Sequence, residues 1–402
     1  MKTTHDDLLH PDVIQDPYTY FHRLREEDPV HWNEKFEGWV LTTYEDVSKA
    51  FHDTRLSSER MKPSVKMEKK KAEELAATYS LLSKWMVFND PPKHTRLRML
   101  ANKAFTPKAV SELQPRILEI TNELLDQIAE RESIDFIKDF AYSLPILVIS
   151  DMLGLPPEDR DKLKKWSDDL LLFVFATNDP DRHTKAKDSL EEMVSYLEHI
   201  IQERKKNPRN DLITAIAHAG EQGDKLTDEE IIATCVLFVF GGHETTTNLL
   251  ANGILALLTN EAEFDKLKND PSLMSTAIEE FLRYDGPSKA MIRIAKEDVR
   301  IGDKTIREGD RLLLVQAAAN RDPEKFSNPN QLDITRHPNP HLGFGRGIHY
   351  CLGAPLARLE GKIGIEQVIR RFPNMQLATN QVEWLPTLVN RGLKGLPVLL
   401  HG

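Results

Sequence analysis
A mainly helical fold with a minor β part is what this chain predicts, on three observations. From about Pro107 to Arg204 apolar residues recur at three- and four-residue intervals, as in Leu118, Ile120, Leu124, Leu125 and Ile128. A longer helical pattern follows from Thr227 to about Leu258. After about residue 290 the pattern breaks into short β-like pieces separated by Pro, Asn, Asp and Gly.

The elements follow in order. A short helix is expected near Pro17 to Glu27, then β-like pieces at Val30 and at Trp39 to Thr42, then a helix from Tyr44. Residues 61–84 are Lys-rich, with Lys62, Lys66, Lys69, Lys70 and Lys71, and read as a solvated helix or loop or as a lid. Asn178, Asp179 and Pro180 mark a turn, and Asn207, Pro208 and Asn210 another. Thr227 with Glu230 has the spacing of a capping box. The helix they open is apolar on every face from Ile231 to Phe240, so it should cross the core. Gly241 and Gly242 stand in its middle, where each costs about 1 kcal/mol relative to alanine, so something must need the space or a kink. Further on, β pieces are expected at Ile292–Ala295, Val299–Ile301 and Leu312–Val315, then an irregular stretch from Asn320 to Gly347. A helix follows Cys351 to about Arg371, and Pro386 to Leu400 reads as hairpin-like.

The chain has 402 residues, 40% apolar and 29% charged, a globular profile able to bury a large core. Its formal net charge of -10 disfavours nucleic acid or an anionic membrane as the main partner. Two cysteines, Cys235 and Cys351, are too few for a disulfide scaffold and fit a reducing cytosol. The polar start, Met1 to His10, lacks the apolar region of a signal peptide. The apolar run Ile231–Phe240 falls short of the roughly 20 residues that span a bilayer, so no membrane anchor is expected.

The chemistry concentrates in His341-Leu-Gly-Phe344-Gly345-Arg346-Gly347-Ile-His349-Tyr-Cys351-Leu-Gly353. One thiol lies where a Gly-rich loop meets a helix, and unpaired amides at a helix start favour thiolate. Gly345, Gly347 and Gly353 let the backbone approach something large and flat, and Pro355 suits a first helical turn. Taken alone, a single cysteine reads as an inert core residue, and zinc would need further ligands at spacing. The full pattern Phe-Gly-x-Gly-x-His-x-Cys-x-Gly resembles the haem-binding loop of the cytochromes P-450, whose cysteine thiolate is the axial ligand.

Three more motifs, in the family's order, extend the resemblance to nearly the whole chain, from about residue 10 to 400. Gly241-Gly242-His243-Glu244-Thr245-Thr246 is similar to the oxygen-binding motif. There the glycines leave room for dioxygen, the Thr245 hydroxyl hydrogen-bonds it, and Glu244 relays protons from solvent. Gly241 stands where many members carry alanine, and His243 faces either a salt bridge or solvent. Glu280-Phe-Leu-Arg283, with Arg336 from the later irregular segment, matches the family's buried ion network and should brace the thiolate loop. Asp90-Pro-Pro-Lys-His94-Thr-Arg-Leu-Arg98 matches a helix start that supplies propionate ligands, joined by Arg293 and His349. Arg96 reads as a surface base and Cys235 as core.

The resemblance implies one domain, residues 1–402, with the family's triangular, mostly helical fold and a small β region. Haem b would lie between the long central helix and the Cys351 helix. It implies a soluble bacterial monooxygenase that inserts one oxygen atom of O2 into a C–H bond of a lipophilic molecule, steroid-, terpenoid- or fatty-acid-like. The chain leaves no room for a reductase domain. Electrons would therefore come from NAD(P)H through a separate ferredoxin or flavodoxin system, docking on bases such as Arg346, Arg358 or Lys362. A cytoplasmic monomer is expected. By analogy Leu237, Phe240, Lys289, Ile292, Leu388 and Val389 line the substrate pocket, beside an apolar stretch from Leu170 to Phe175 that core packing would equally explain. Lys289 would hold a substrate carboxylate or carbonyl, or snorkel to solvent. The competing readings are a peroxide-driven peroxygenase of the same fold, a non-catalytic haem-binding recruitment or sensor protein, and a helical binding protein without haem.

Overall fold
Thr227 and Glu230 cap each other as their spacing predicts. The Glu230 amide donates to Thr227 Oγ1 at 3.2 Å, and the Thr227 amide donates to the Glu230 carboxylate at 3.0 Å. From this cap the helix Asp228–Leu258 runs unbroken for 31 residues, so the two glycines cause no break in it. Ile231 to Phe240 is buried on every face, with Cys235 fully so. Burial pushes the Cys235 thiol up to about 12, which marks it as a core residue. The computed structural model describes residues 6–62, 68–174, 181–219, 225–379 and 381–401. The Asn178–Pro180 turn, Lys66 and Phe175 lie outside them.

The chain divides into two compact units whose segments alternate along the sequence. The first comprises Met1–Leu56, Pro115–Pro145 and Glu244–Gly402. Its sheet has the strand order Val30–Asn33, Gly38–Leu41, Arg311–Leu314 and Met291–Ala295, with the short strand Leu56–Ser57 at the edge. Gly38–Leu41 lies parallel to Arg311–Leu314, with Val40 opposite Leu313, and Arg293 sits antiparallel opposite Leu312. Leu312, Leu313 and Leu314 are all buried, which is why this strand reads as a continuous apolar run rather than an alternation. Val47, Phe51, Phe326 and Leu342 complete the core around it.

In the same unit the end of the long helix meets the helix Ala354–Arg371 at small residues. A Cβ on Gly361 would stand 3.1 Å from Leu249, and one on Gly364 2.9 Å from Leu250. The two helices therefore approach backbone to side chain, which fixes the second helix and the cysteine loop before it.

The chain end departs from the expected hairpin. Pro397–Leu399 pairs with Ser133–Asp135 and with Gln376–Leu377, and a single bridge, Trp384 to Leu393, closes the preceding loop. Ser133–Asp135 lies in a segment whose pattern predicts helix; three residues are too few to carry a periodicity of their own.

The second unit comprises Ser57–Gln114 and Ile146–His243. Apart from Ser57, which ends the edge strand, its regular structure among the described residues is helical. Arg160–Val174 and Arg182–Lys206 pack through Leu163, Leu170, Met193 and Leu197, all buried. Polar ties fasten the pair's margin: Trp166 Nε1 donates to Glu192 at 2.8 Å and the Tyr196 hydroxyl to Asp159 at 2.9 Å. In the Lys-rich segment the helix Lys69–Glu74 buries nothing, so its solvated reading holds. Among the described residues no helix is long and apolar enough to cross a membrane.

Candidate functional site
The cysteine loop is shaped by two glycines. Gly345 and Gly347 both take φ of 68°, the left-handed region that side chains disfavour. At Gly347 a Cβ would also stand 2.7 Å from the Phe51 carbonyl. The loop then closes on itself: the Gly345 amide donates to Leu342 O at 2.8 Å and the Cys351 amide to Phe344 O at 3.0 Å. Cys351 is half-buried and forms no disulfide, and the helix Ala354–Arg371 begins three residues later. The sulfur therefore stands before a helix start, where the dipole favours an anion. Among the described residues no group of three or more His, Cys, Asp or Glu could hold a metal ion.

Arg293 reaches this loop from the strand Met291–Ala295. It is buried, donates to Ile292 O at 2.9 Å and lies 5.7 Å from the Phe51 ring. A Cβ on Gly345 would stand 3.6 Å from the same ring, so Phe51 joins Arg293 to the cysteine loop. His349 is half-buried in the turn Gly347–His349, and Gly353 caps the following helix.

Behind the loop lies the ion network. Arg283 has five N–H donors, and each finds an acceptor. Two go to the Glu280 carboxylate at 2.7 and 2.8 Å, and the others to the carbonyls of Asn320, Pro329 and Gln331 at 2.8–3.0 Å. Arg336 donates to Glu280 at 3.1 Å, and the Asp333 amide and Asn339 side chain also donate to it. Glu280 and Arg283 are fully buried. This brings together the three residues that the sequence singles out.

The neighbouring Glu279 was not singled out. It accepts from Arg358 at 2.6 and 2.8 Å and pairs with His341 at 3.0 Å, tying the cysteine helix and the start of its loop to one side chain. Burial pushes the Glu279 carboxyl up, but the Arg358 and His341 contacts outweigh it and bring it to about 2. A Glu-Glu pair before the family motif was the available signal. Arg358 also bonds the Tyr350 hydroxyl, and Arg346 the Tyr44 hydroxyl. Two of the three expected docking bases are thus occupied within the chain, while Lys362 is exposed.

On the long helix, Glu244 is buried and accepts from the Asn248 amide at 3.0 Å, while Thr245 is half-buried. Asn248 is a residue that sequence reasoning missed; its signal was the four-residue spacing from Glu244. Lys289 and Val389 come together, since the Lys289 and Ala290 amides both donate to Val389 O, at 2.8 and 3.1 Å. The Lys289 side chain does not snorkel: it is buried and its ammonium donates to Thr387 O at 2.6 Å. Burial, with Arg391 nearby, pulls the amine down to about 7. Ile292 and Leu388 are half-buried.

The second unit holds the remaining candidates. His94 is buried in the helix Lys93–Ala104 with Arg98 one turn on. Burial and then the Arg98 charge lower the imidazole's proton affinity. Leu237 and Phe240 are buried, and the Phe240 ring lies 5.0 Å from Trp85. Gly241 is exposed directly after the buried run Ile231–Phe240, and a Cβ there would meet nothing within 4 Å. A Cβ on Gly242 would touch Ile149 at an ordinary 3.5 Å. No protein neighbour therefore demands the first glycine, whose helical cost implies space kept for something else.

Two readings need correction here. Arg96 is no surface base: it pairs with the buried Glu230 of the capping box. His243 does not face solvent. It is fully buried beside Ser167 Oγ, at 3.3 Å, and burial holds its imidazole neutral, down to about 3.

Comparison with known proteins gives a consistent result. The cytochrome P450 family model matches residues 31–386. The chain is 39% identical to cytochrome P450 CYP107DY1 of Priestia megaterium over 99% of both chains. It superimposes on a solved structure of P450BioI bound to hexadec-9Z-enoic acid ligated acyl carrier protein with a TM-score of 0.91, at 37% identity, covering 97% of this chain and 99% of that one. CYP109E1 from Bacillus megaterium in complex with corticosterone aligns with a TM-score of 0.85 at 35% identity, covering 97% of this chain and all of that one.

Proposed function
The chain belongs to the cytochrome P450 family, and from that premise we propose that it is a monooxygenase of lipophilic small molecules with Cys351 as its haem ligand. Membership makes it a P450 enzyme carrying haem on a cysteine thiolate, using O2 and a redox partner. The observation that carries the residue assignment is the Cys351 loop, folded by two left-handed glycines onto a helix start.

The residues fit the group. Gly241 keeps a space that no side chain fills. His94, Arg98, Arg293 and His349 offer the positive charge and N–H donors that two propionates need. Phe344, Gly345 and Gly353 let the loop backbone lie close beneath a flat ring. When bound, the haem supplies oxygen activation and the C–H chemistry. The chain's part is to hold and to deliver. Gly241 and Gly242 leave room for dioxygen. Thr245 donates a hydroxyl proton toward it, and Glu244 replenishes that proton from solvent. Glu280, Arg283 and Arg336 hold the loop that presents the sulfur.

The substrate reading is steroid-, terpenoid- or fatty-acid-like. It is supported by the similarity to proteins solved with corticosterone and with a C16 acyl chain. Leu237, Phe240, Ile292, Leu388 and Val389 supply apolar lining, and Lys289 supplies a donor for a carboxylate or carbonyl. Electrons come from NAD(P)H through a separate ferredoxin or flavodoxin system, with Lys362 available to it. We assign the enzyme to the cytoplasm, as a monomer working as a single catalytic domain.

The test is spectral and kinetic. The purified protein, reduced under CO, should give the thiolate-haem band, and Cys351→Ala should abolish it. Thr245→Ala should keep the band while releasing reducing equivalents as peroxide. Unchanged coupling in Thr245→Ala would remove the proton-delivery role, and a nitrogen-ligated iron would remove the Cys351 assignment. Turnover driven better by peroxide than by NAD(P)H with a ferredoxin system would favour a peroxygenase.

A further inference from the structure
Glu244, Asn248 and Asn252 occupy positions i, i+4 and i+8 of the long helix and so form one stripe along it. All three are buried. A buried carboxyl group needs donors to hold a defined orientation, and the Asn248 amide supplies one to Glu244 Oε1 at 3.0 Å.

Asn248 is itself held from outside the helix. A Cβ on Gly392 would stand 2.5 Å from Asn248 Oδ1 and 2.8 Å from both Cγ and Nδ2. The amide therefore lies flat against the Gly392 backbone, in space that any side chain at 392 would take. The loop carrying Gly392 is fixed in turn. Asn252 Nδ2 donates to Arg391 O at 3.0 Å and to Asp285 O at 2.9 Å. The Arg391 guanidinium pairs with Asp285 at 3.1 Å and donates to Ile14 O at 2.6 Å. The Leu385 amide donates to Gly392 O at 2.8 Å.

We propose that Asn248 is a positioning residue for Glu244, and that Gly392 of the C-terminal loop keeps the Asn248 amide in the orientation that does so. This rests on the reading of Glu244 as the proton-carrying acid. In that role Glu244 passes its proton to the Thr245 hydroxyl, which gives up its own, and then takes another from solvent. The Asn248 N–H steadies the carboxylate between the two transfers by holding Oε1. The C-terminal loop thereby takes part in proton supply although no residue of it carries the proton.

The experiment uses the ferrous carbonyl holoenzyme labelled with 15N-asparagine. The Asn248 side-chain amide signal is identified as the one missing from Asn248→Ala. It should shift in Glu244→Gln, and also in Gly392→Ala, which leaves the helix sequence untouched. If neither variant moves it, the proposal is overturned. Peroxide released per NAD(P)H oxidised is then measured with palmitic acid and with testosterone as probes. It should rise roughly fivefold in Asn248→Ala and comparably in Gly392→Ala, with probe affinity by spectral titration near the parent's. Glu244→Gln/Asn248→Ala should release no more peroxide than Glu244→Gln alone; an additive rise would overturn a role exercised through Glu244. If Glu244→Gln itself leaves release unchanged, the acid assignment fails. If Glu244→Gln raises it and Asn248→Ala does not, the positioning role alone fails.

Discussion
The region around Glu280 and the helical region that ends at Phe240 are both buried, and they are held by different forces. Around Glu280 the chain from Asn320 to Gly347 has little regular structure, so its carbonyls lack ladder partners. Arg283 and Arg336 supply them, at Asn320, Ser327, Pro329 and Gln331 among others. In the second unit the helices satisfy their own backbones, and apolar side chains do the packing, rings among them: Trp85 on Phe88 at 5.6 Å, Tyr79 on Phe173 at 5.3 Å and Phe105 on Phe238 at 5.9 Å. Directional bonds tolerate no substitute of other geometry. Apolar packing accepts any shape of similar volume. Under the proposed function, the first kind of region would hold the thiolate loop and the second would supply part of the substrate lining.

Three substitutions break or sharpen this contrast. The largest effect is expected from Arg283→Ala, which leaves the buried Glu280 charge to Arg336 as its one remaining cation and strips three carbonyls of a donor; losing one partner of a buried pair costs about 3–5 kcal/mol. Urea unfolding and haem content should both fall, and stability within about 1 kcal/mol of the parent would deny the network its bracing role. Phe240→Ala should cost about 3 kcal/mol through the cavity beside Trp85, yet keep the thiolate-haem band and change which lipophilic probes give a spectral shift. Loss of that band would show that the two regions are not separable. The smallest effect belongs to Lys289→Met. The amine sits at about 7 in the fold against an ordinary 10.5. The unfolded chain thus binds more protons between those values, so stability rises with pH across that window and the penalty is full below it. Lys289→Met removes the penalty but leaves Thr387 O without that donor. Its thermal midpoint should therefore gain most at pH 7 and below, and the gain should shrink toward pH 10. A gain independent of pH would mean that Lys289 carries no buried-charge cost.

Much of this was readable along the chain because local patterns carry it. The Thr227–Glu230 cap, the helix to Leu258, the turn at Asn207 and the Cys351 loop all depend on residues within a few positions of one another. The spacing from Glu280 to Arg283 was also local, and family order linked Arg336 to it. Local reading failed where a contact spans the sequence. Ser133–Asp135 is a strand only because Pro397–Leu399 lies beside it. Arg96 looked like a surface base because its partner Glu230 is far along the chain. Lys289 had two open fates, and burial against Thr387 removes one of them, snorkelling to solvent.

By itself, then, the sequence determined the helical periodicity, the caps, and the cysteine, acid and alcohol to which the proposed chemistry is assigned. Only the tertiary structure decided what surrounds each of them: the Glu279 clamp, the neutral His243, the Asn248 donor and the glycine at 392 that accommodates it. The physical reason is range. Backbone periodicity and capping act within a turn or two of helix. Desolvation and hydrogen-bond partnership are set by whichever distant segments fold against a side chain, and no short window of residues contains them.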